Sequence, residues 1–136
     1  MGTESENMPT LKEVEAFLEA LRLKLEFREV RFIHRPEYIS AYAELKTWGY
    51  PPQELAEIIK ALTPTDYSEG PIKDTDNIPP KGPLWVFGKR IGPKDRPKSK
   101  KKVEFYIKVQ LGLENENVIC ISFHPSKHDM VYPKLV

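Results

Sequence analysis

The chain has 136 residues, of which 40% are hydrophobic, 10% aromatic and 30% charged, with a formal net charge of +1. That length suits one domain and is short for two, and the apolar content is too high for wholesale disorder. The single cysteine, Cys120, excludes an internal disulfide and any multi-cysteine zinc site.

Charge is unevenly placed. Residues 89–102 carry eight Lys or Arg against one Asp (+7), whereas 1–88 carry ten against fifteen acids (−5) and 103–136 three against four (−1). A short, dense positive segment in a mildly acidic chain points to an anionic partner, nucleic acid or phosphate first. No apolar run is long enough to span a bilayer, and the opening MGTESENMPT has neither the basic nor the apolar region of a signal peptide. A cytoplasmic protein without membrane contact is expected.

Residues 1–9 read as a flexible tail and 10–136 as a single domain. Thr10 with Glu13 forms a capping-box pattern, and Leu11, Val14, Phe17, Leu18 and Leu21 recur at helical spacing, so an amphipathic helix is predicted over 11–24. Phe27, Val30, Phe32 and Ile33 follow without clean alternation, as a short strand or an extended connection. Pro36 then sits where a first helical residue belongs; Tyr38, Tyr42 and Leu45 carry a stripe toward Gly49, placed to end that helix in a left-handed turn. Pro51 and Pro52 open a third helix with an apolar face of Leu55, Ile58, Ile59 and Leu62. Residues 63–83 hold five prolines together with Asp66, Asp74, Asp76 and Asn77, and read as a long irregular loop.

Three strands are predicted last: Leu84 to Lys89, Val103 to Leu111 and Val118 to His124. A basic loop at about 90–102 joins the first two, and a turn at 112–117 joins the second pair. Gly82 and Gly88 read as turn or close-packing glycines. Helices first and strands second, without βαβ alternation, give an α+β class with N-terminal helices packed on an antiparallel sheet.

Side chains alternate along a strand. Val103, Phe105, Ile107 and Val109 share one face of the middle strand, and Ile119, Ile121 and Phe123 one face of the last. If both apolar faces rest on the helices, Tyr106, Lys108, Ser122 and His124 gather on the opposite face. Those types suit RNA cleavage without a metal: a histidine moves protons near neutral pH, a lysine stabilises charge on the phosphorane, and a tyrosine bonds phosphate or stacks on a base. Each has an ordinary structural reading as well. A strand-end histidine is more often structural, a strand tyrosine is more often an amphipathic sheet residue, and lysine-rich hairpin tips are common solubilising features. His34, His124 and His128 lack metal-ligand spacing, so neither a metal nor a cofactor is expected.

The segments LTPTDYSEGP (62–71), LWVFGK (84–89), VEFYIKV (103–109) and VICISFHPS (118–126), in this order, resemble the MqsR toxins, distant relatives of the RelE ribonucleases. Upstream, FIHRPEYISAYAELKTWGY and ELAEIIKAL resemble the helices that precede the family's sheet, so the likeness spans roughly residues 10–133. The basic insertion before VEFYIKV is longer than is usual in the family. The resemblance implies a RelE-like fold and the toxin of a type II toxin–antitoxin system, a metal-independent endoribonuclease that cleaves mRNA. It also implies a cognate antitoxin, typically with a zinc-binding domain and a helix-turn-helix domain.

Carried over by motif, the family tyrosine falls on Tyr106 and the lysine after it on Lys108. Where the best-known member has a catalytic lysine after S-F, this chain has His124. The lysine following D-[FY] falls on Glu69, and the glutamine after the tryptophan falls on Val86. The resulting expectation is 2′-hydroxyl attack with His124 as acid and Glu69 as a candidate base. Lys108, Tyr106 and Lys89 would contact the phosphate, and Lys89, Arg90, Lys100, Lys101 and Lys102 would contact RNA more broadly. The alternative is a non-catalytic regulator of the same fold that binds nucleic acid or a partner through the basic loop and the sheet face.

Overall fold

Thr10 and Glu13 close the predicted cap reciprocally: the Thr10 hydroxyl accepts from the Glu13 amide at 3.2 Å and the Glu13 carboxylate accepts from the Thr10 amide at 3.2 Å. Both orphan donors are thereby satisfied where helix α1, Leu11–Lys24, begins. The computed structural model of the protein describes residues 8–95 and 102–133. Most of the expected tail lies outside them, and Pro9 is already buried.

Helix α1 buries Val14, Phe17, Leu18 and Leu21, the predicted stripe. After strand β1 (Val30–Phe32), a 3-10 turn at Pro36–Tyr38 leads into α2 (Ile39–Thr47). Gly49 follows with φ 98°, the left-handed conformation that the sequence anticipates. Pro51 caps α3 (Pro52–Lys60), which buries Leu55 and Ile59 and stops just short of the buried Leu62. No helix among the described residues is long and apolar enough to cross a membrane.

The remaining strands are β2 (Tyr67–Ile72), β3 (Leu84–Ile91), β4 (Val103–Gln110) and β5 (Val118–Pro125). They form one five-stranded sheet in the order β1-β5-β4-β3-β2. The class is α+β, as expected, but the sheet is mixed: β1 runs parallel to β5 and the other pairs are antiparallel. The loop expected at 63–83 also contains a strand. β2 escapes the sequence reading because Gly70 and Pro71 interrupt it; as an edge strand it tolerates a residue without an N–H, and its register against β3 is irregular. The connection expected at about 90–102 begins later, at Gly92, because β3 runs on to Ile91.

One face of the sheet carries the core. Phe17 of α1 stacks on Trp85 (4.8 Å) and Phe87 (6.1 Å), and Leu45, Leu55 and Ile59 join Phe105, Ile107, Val109 and Phe123. Strand β5 departs from simple alternation. Lys108 pairs with Ser122, but its neighbour Val109 pairs with Cys120, so Ile121 is an extra residue in a β-bulge. Beyond it the faces exchange: Val118 and Cys120 enter the core, whereas Ile119 and Ile121, expected on the helices, line a cavity on the opposite face.

Candidate functional site

The face turned away from the helices is where the alternation of β4 and of the last residues of β5 converges. Tyr106 is paired with His124 and Lys108 with Ser122. Residues opposite one another on antiparallel strands project to the same side, so all four side chains share this face. The rings of Tyr106 and His124 lie nearly parallel, 18° apart with centroids at 5.3 Å, and Lys108 Nζ stands 5.7 Å from the Tyr106 ring centroid. A phenol, an imidazole and an ammonium are therefore neighbours.

His124 is 7% exposed, and its Nδ1 lies 2.8 Å from the Pro125 carbonyl oxygen. A carbonyl only accepts, so Nδ1 carries the hydrogen and the lone pair of the neutral ring is at Nε2. Burial lowers the imidazole pKa below its ordinary value; the Pro125 carbonyl opposes this, and the charges of Lys127 and Lys108 add to the lowering. The shift favours the neutral ring, which has the character of a proton acceptor.

The face is bounded at both ends. At one end Asp74, 4% exposed, accepts from the amides of Asp76 (3.2 Å) and Lys81 (2.8 Å), the Asn77 side chain (2.9 Å) and Gln110 Nε2 (3.2 Å). These donors hold its carboxyl down to about 2 and staple the 73–83 loop to β4. At the other end the C-terminal segment crosses β3 and β4: Tyr132 donates to Glu104 (2.8 Å), Glu104 also accepts from the Met130 amide (3.1 Å), and Ser68 donates to the Val131 carbonyl (2.6 Å). Gly88 makes room for this strap, since a Cβ there would stand 2.0 Å from Tyr132 Oη. Replacing Gly88 with alanine is expected to dislodge the strap at a cost of about 1–3 kcal/mol. Faster amide hydrogen exchange at 126–133 and a lower Tm would report it; unchanged exchange would mean that Tyr132 does not pack there.

The other sequence candidates are more dispersed. Glu69 is exposed on edge strand β2 and pairs with Val86, in the same cross-strand row as Lys108 and Ser122. Lys89 pairs with Phe105, a core residue, and so belongs to the helix side of β3, where it forms an ion pair with Asp66 at 3.3 Å. It is not brought together with Tyr106, Lys108 and His124. Arg90, opposite Glu104, donates to the Lys102 carbonyl at 3.1 Å, and Lys102 is exposed just before β4. Lys100 and Lys101 lie outside the described residues. Among the described residues no three His, Cys, Asp or Glu side chains are grouped as metal ligands.

Sequence reasoning missed Asp74, Gln110 and the strap, along with Arg31 and Arg35. The Asp-x-Asp-Asn run at 74–77 was a visible signal, because such side chains bond their own backbone in turns. For the two arginines no signal existed, since the parallel pairing of β1 with β5 that places Arg31 opposite Ile119 has no local signature. No protein-family model matches the chain, and neither a curated protein nor a solved structure is found similar to it.

Proposed function

We propose that this chain is an MqsR-like toxin of a type II toxin–antitoxin pair, a metal-independent endoribonuclease that cleaves mRNA on the sheet face bearing Tyr106, Lys108 and His124. One observation carries this reading: a buried imidazole stacked on a phenol, with an ammonium alongside. The sequence resemblance supports it independently, since its motifs fall on the same three residues.

In this reading His124 is the base. Nε2 takes the proton from the ribose 2′-hydroxyl, the 2′-oxygen bonds to phosphorus, and the bond from phosphorus to the 5′-oxygen breaks. The Tyr106 hydroxyl protonates the leaving 5′-oxygen, and the protons re-equilibrate through solvent. Lys108 stabilises charge on the phosphorane and then on the phenoxide. The products are a 2′,3′-cyclic phosphate and a 5′-hydroxyl. This exchanges the acid role that the sequence suggested for His124. Glu69 lies on β2, three inter-strand spacings or about 14 Å from β5, and this reading gives it no role in the step. The cognate antitoxin and cytoplasmic action belong to the same proposal.

The test is incubation of the purified protein with mRNA in excess EDTA, followed by analysis of the new ends. Cyclic phosphate and 5′-hydroxyl termini are expected. RNA that is bound but uncut would replace the enzyme with the non-catalytic regulator.

A further inference from the structure

Next to Lys108, on the same face, lies a cavity of about 320 Å³. That is near the lower end of the ~300–1,000 Å³ typical of ligand sites, a size for one nucleotide unit rather than two. Its composition is divided. Ile33, Leu84, Ile119 and Ile121 supply apolar wall, two of them because the β5 bulge turned them there. Arg31 and Arg35 stand on the β1 side and Lys108 on the active-face side. None of these three cations has a carboxylate within ion-pair distance among the described residues, whereas Lys81, also on the rim, pairs with Glu116 at 3.4 Å.

On the loop side the groups are acceptors. Gln110 donates through Nε2 to Asp74 (3.2 Å) and to the Gly82 carbonyl (2.9 Å), which commits both amide hydrogens and fixes the orientation of the side chain. Its Oε1 is buried and has no hydrogen-bond partner among the described residues. Asp76 is exposed at the same rim. An orphaned buried acceptor calls for a donor, and a base N–H seated on the isoleucines would supply one as the stapled loop gives.

We infer that this cavity is a nucleotide subsite of the RNA strand: its apolar wall takes one base, Gln110 and Asp76 face the base's N–H edge, and Arg31 and Arg35 hold the phosphate that follows. The assignment rests on the proposed ribonuclease reading and deepens it. Recognition of the strand then runs from Lys108 toward β1, away from the Lys89 side of β3.

The experiment measures binding of a short 2′-O-methyl oligoribonucleotide, which cannot undergo 2′-attack, to the full chain as a function of salt. Changing both Arg31 and Arg35 to alanine should weaken binding at low salt. It should also flatten the slope of log K against log salt by about 0.7, one phosphate contact on a single strand. Lys12→Ala and Lys46→Ala, exposed on α1 and α2, should leave the slope unchanged. The Gln110 side-chain amide resonances should shift when the oligonucleotide is added. Absence of binding by the wild type, or an unaltered slope in the double variant, overturns the inference. Unmodified mRNA cut normally while the slope is unaltered sinks the subsite alone. Binding that depends on Arg31 and Arg35 without any new RNA ends sinks the nuclease reading alone.

Discussion

Replacing His124 with alanine is expected to slow RNA cleavage by roughly 10²–10⁴, the usual contribution of a positioned acid or base. The pH profile carries the sharper information. A base acts unprotonated, so kcat/KM of the wild type should rise with pH through the imidazole pKa and then level off. Burial and the charges of Lys127 and Lys108 put that midpoint below the ordinary 6.5. If His124 were the acid, the rate would fall with pH across the same interval. Removing the charge of Lys108 with Lys108→Ala should move the rising limb upward, toward 6.5, in addition to lowering the plateau. Stability follows the same proton. The folded pKa lies below the unfolded one, so the contribution is complete above about 6.5 and is lost as the pH falls toward the folded value. Recording Tm at each pH separates titration of the site from unfolding, and His124→Asn, closer in shape, checks that the alanine effect is chemical. An alanine variant as active as the wild type would remove His124 from the mechanism.

Elements governed by local chemistry were legible in the sequence; those governed by pairing between distant segments were not. The Thr10–Glu13 cap, the α1 stripe and the turn at Gly49 each depend on residues within a few positions of one another, and each stands where it was expected. The cluster of Tyr106, Lys108, Ser122 and His124 was readable for a related reason. The period of two along β4 and along the last residues of β5 fixes their side, provided the two strands are neighbours. The bulge at Ile121 broke that same rule for the first half of β5. Val, Ile and Cys all suit a core, so hydropathy gave no sign of which of Val118, Ile119, Cys120 and Ile121 would face it. β2 is hidden more deeply, by Gly70 and Pro71, and β1, one of the two readings of its segment, gives no local sign of its parallel pairing with β5. Without that pairing, nothing in the sequence brings Arg31 to the cavity beside Lys108. The conspicuous charge in the sequence is the basic segment at 89–102, yet its first lysine is paired with Asp66 on the far side of the sheet.

Truncating Phe87 to alanine is expected to cost about 3–5 kcal/mol, the range for a fully buried phenylalanine. The site reaches that range because the ring is enclosed from three directions. It is 0% exposed, stacks on Phe17 of α1 at 6.1 Å, meets Tyr67 of β2 edge-on at 6.2 Å, and sits opposite Ile107 in the middle of the sheet. Backbone pairing with β2 and β4 holds the strand in place, so the cavity cannot collapse by moving β3 alone. Against the ~5–15 kcal/mol by which domains of this kind are usually stable, that loss is large, and Tm should fall on the order of 10–20 °C. Phe87→Leu, which keeps most of the volume, should cost much less. The damage should also be uneven. β2 is an edge strand with irregular register, and Tyr67 is its one side chain in the core cluster, so its amides should lose protection from hydrogen exchange before those of β4. Since Glu69 rides on β2 while Tyr106, Lys108 and His124 ride on β4 and β5, residual cleavage by Phe87→Ala at a temperature where only β2 has loosened would separate the two sets of candidates. Activity that survives the loss of β2 protection would locate the chemistry on β4 and β5, whereas activity lost in step with it would return Glu69 to the reaction.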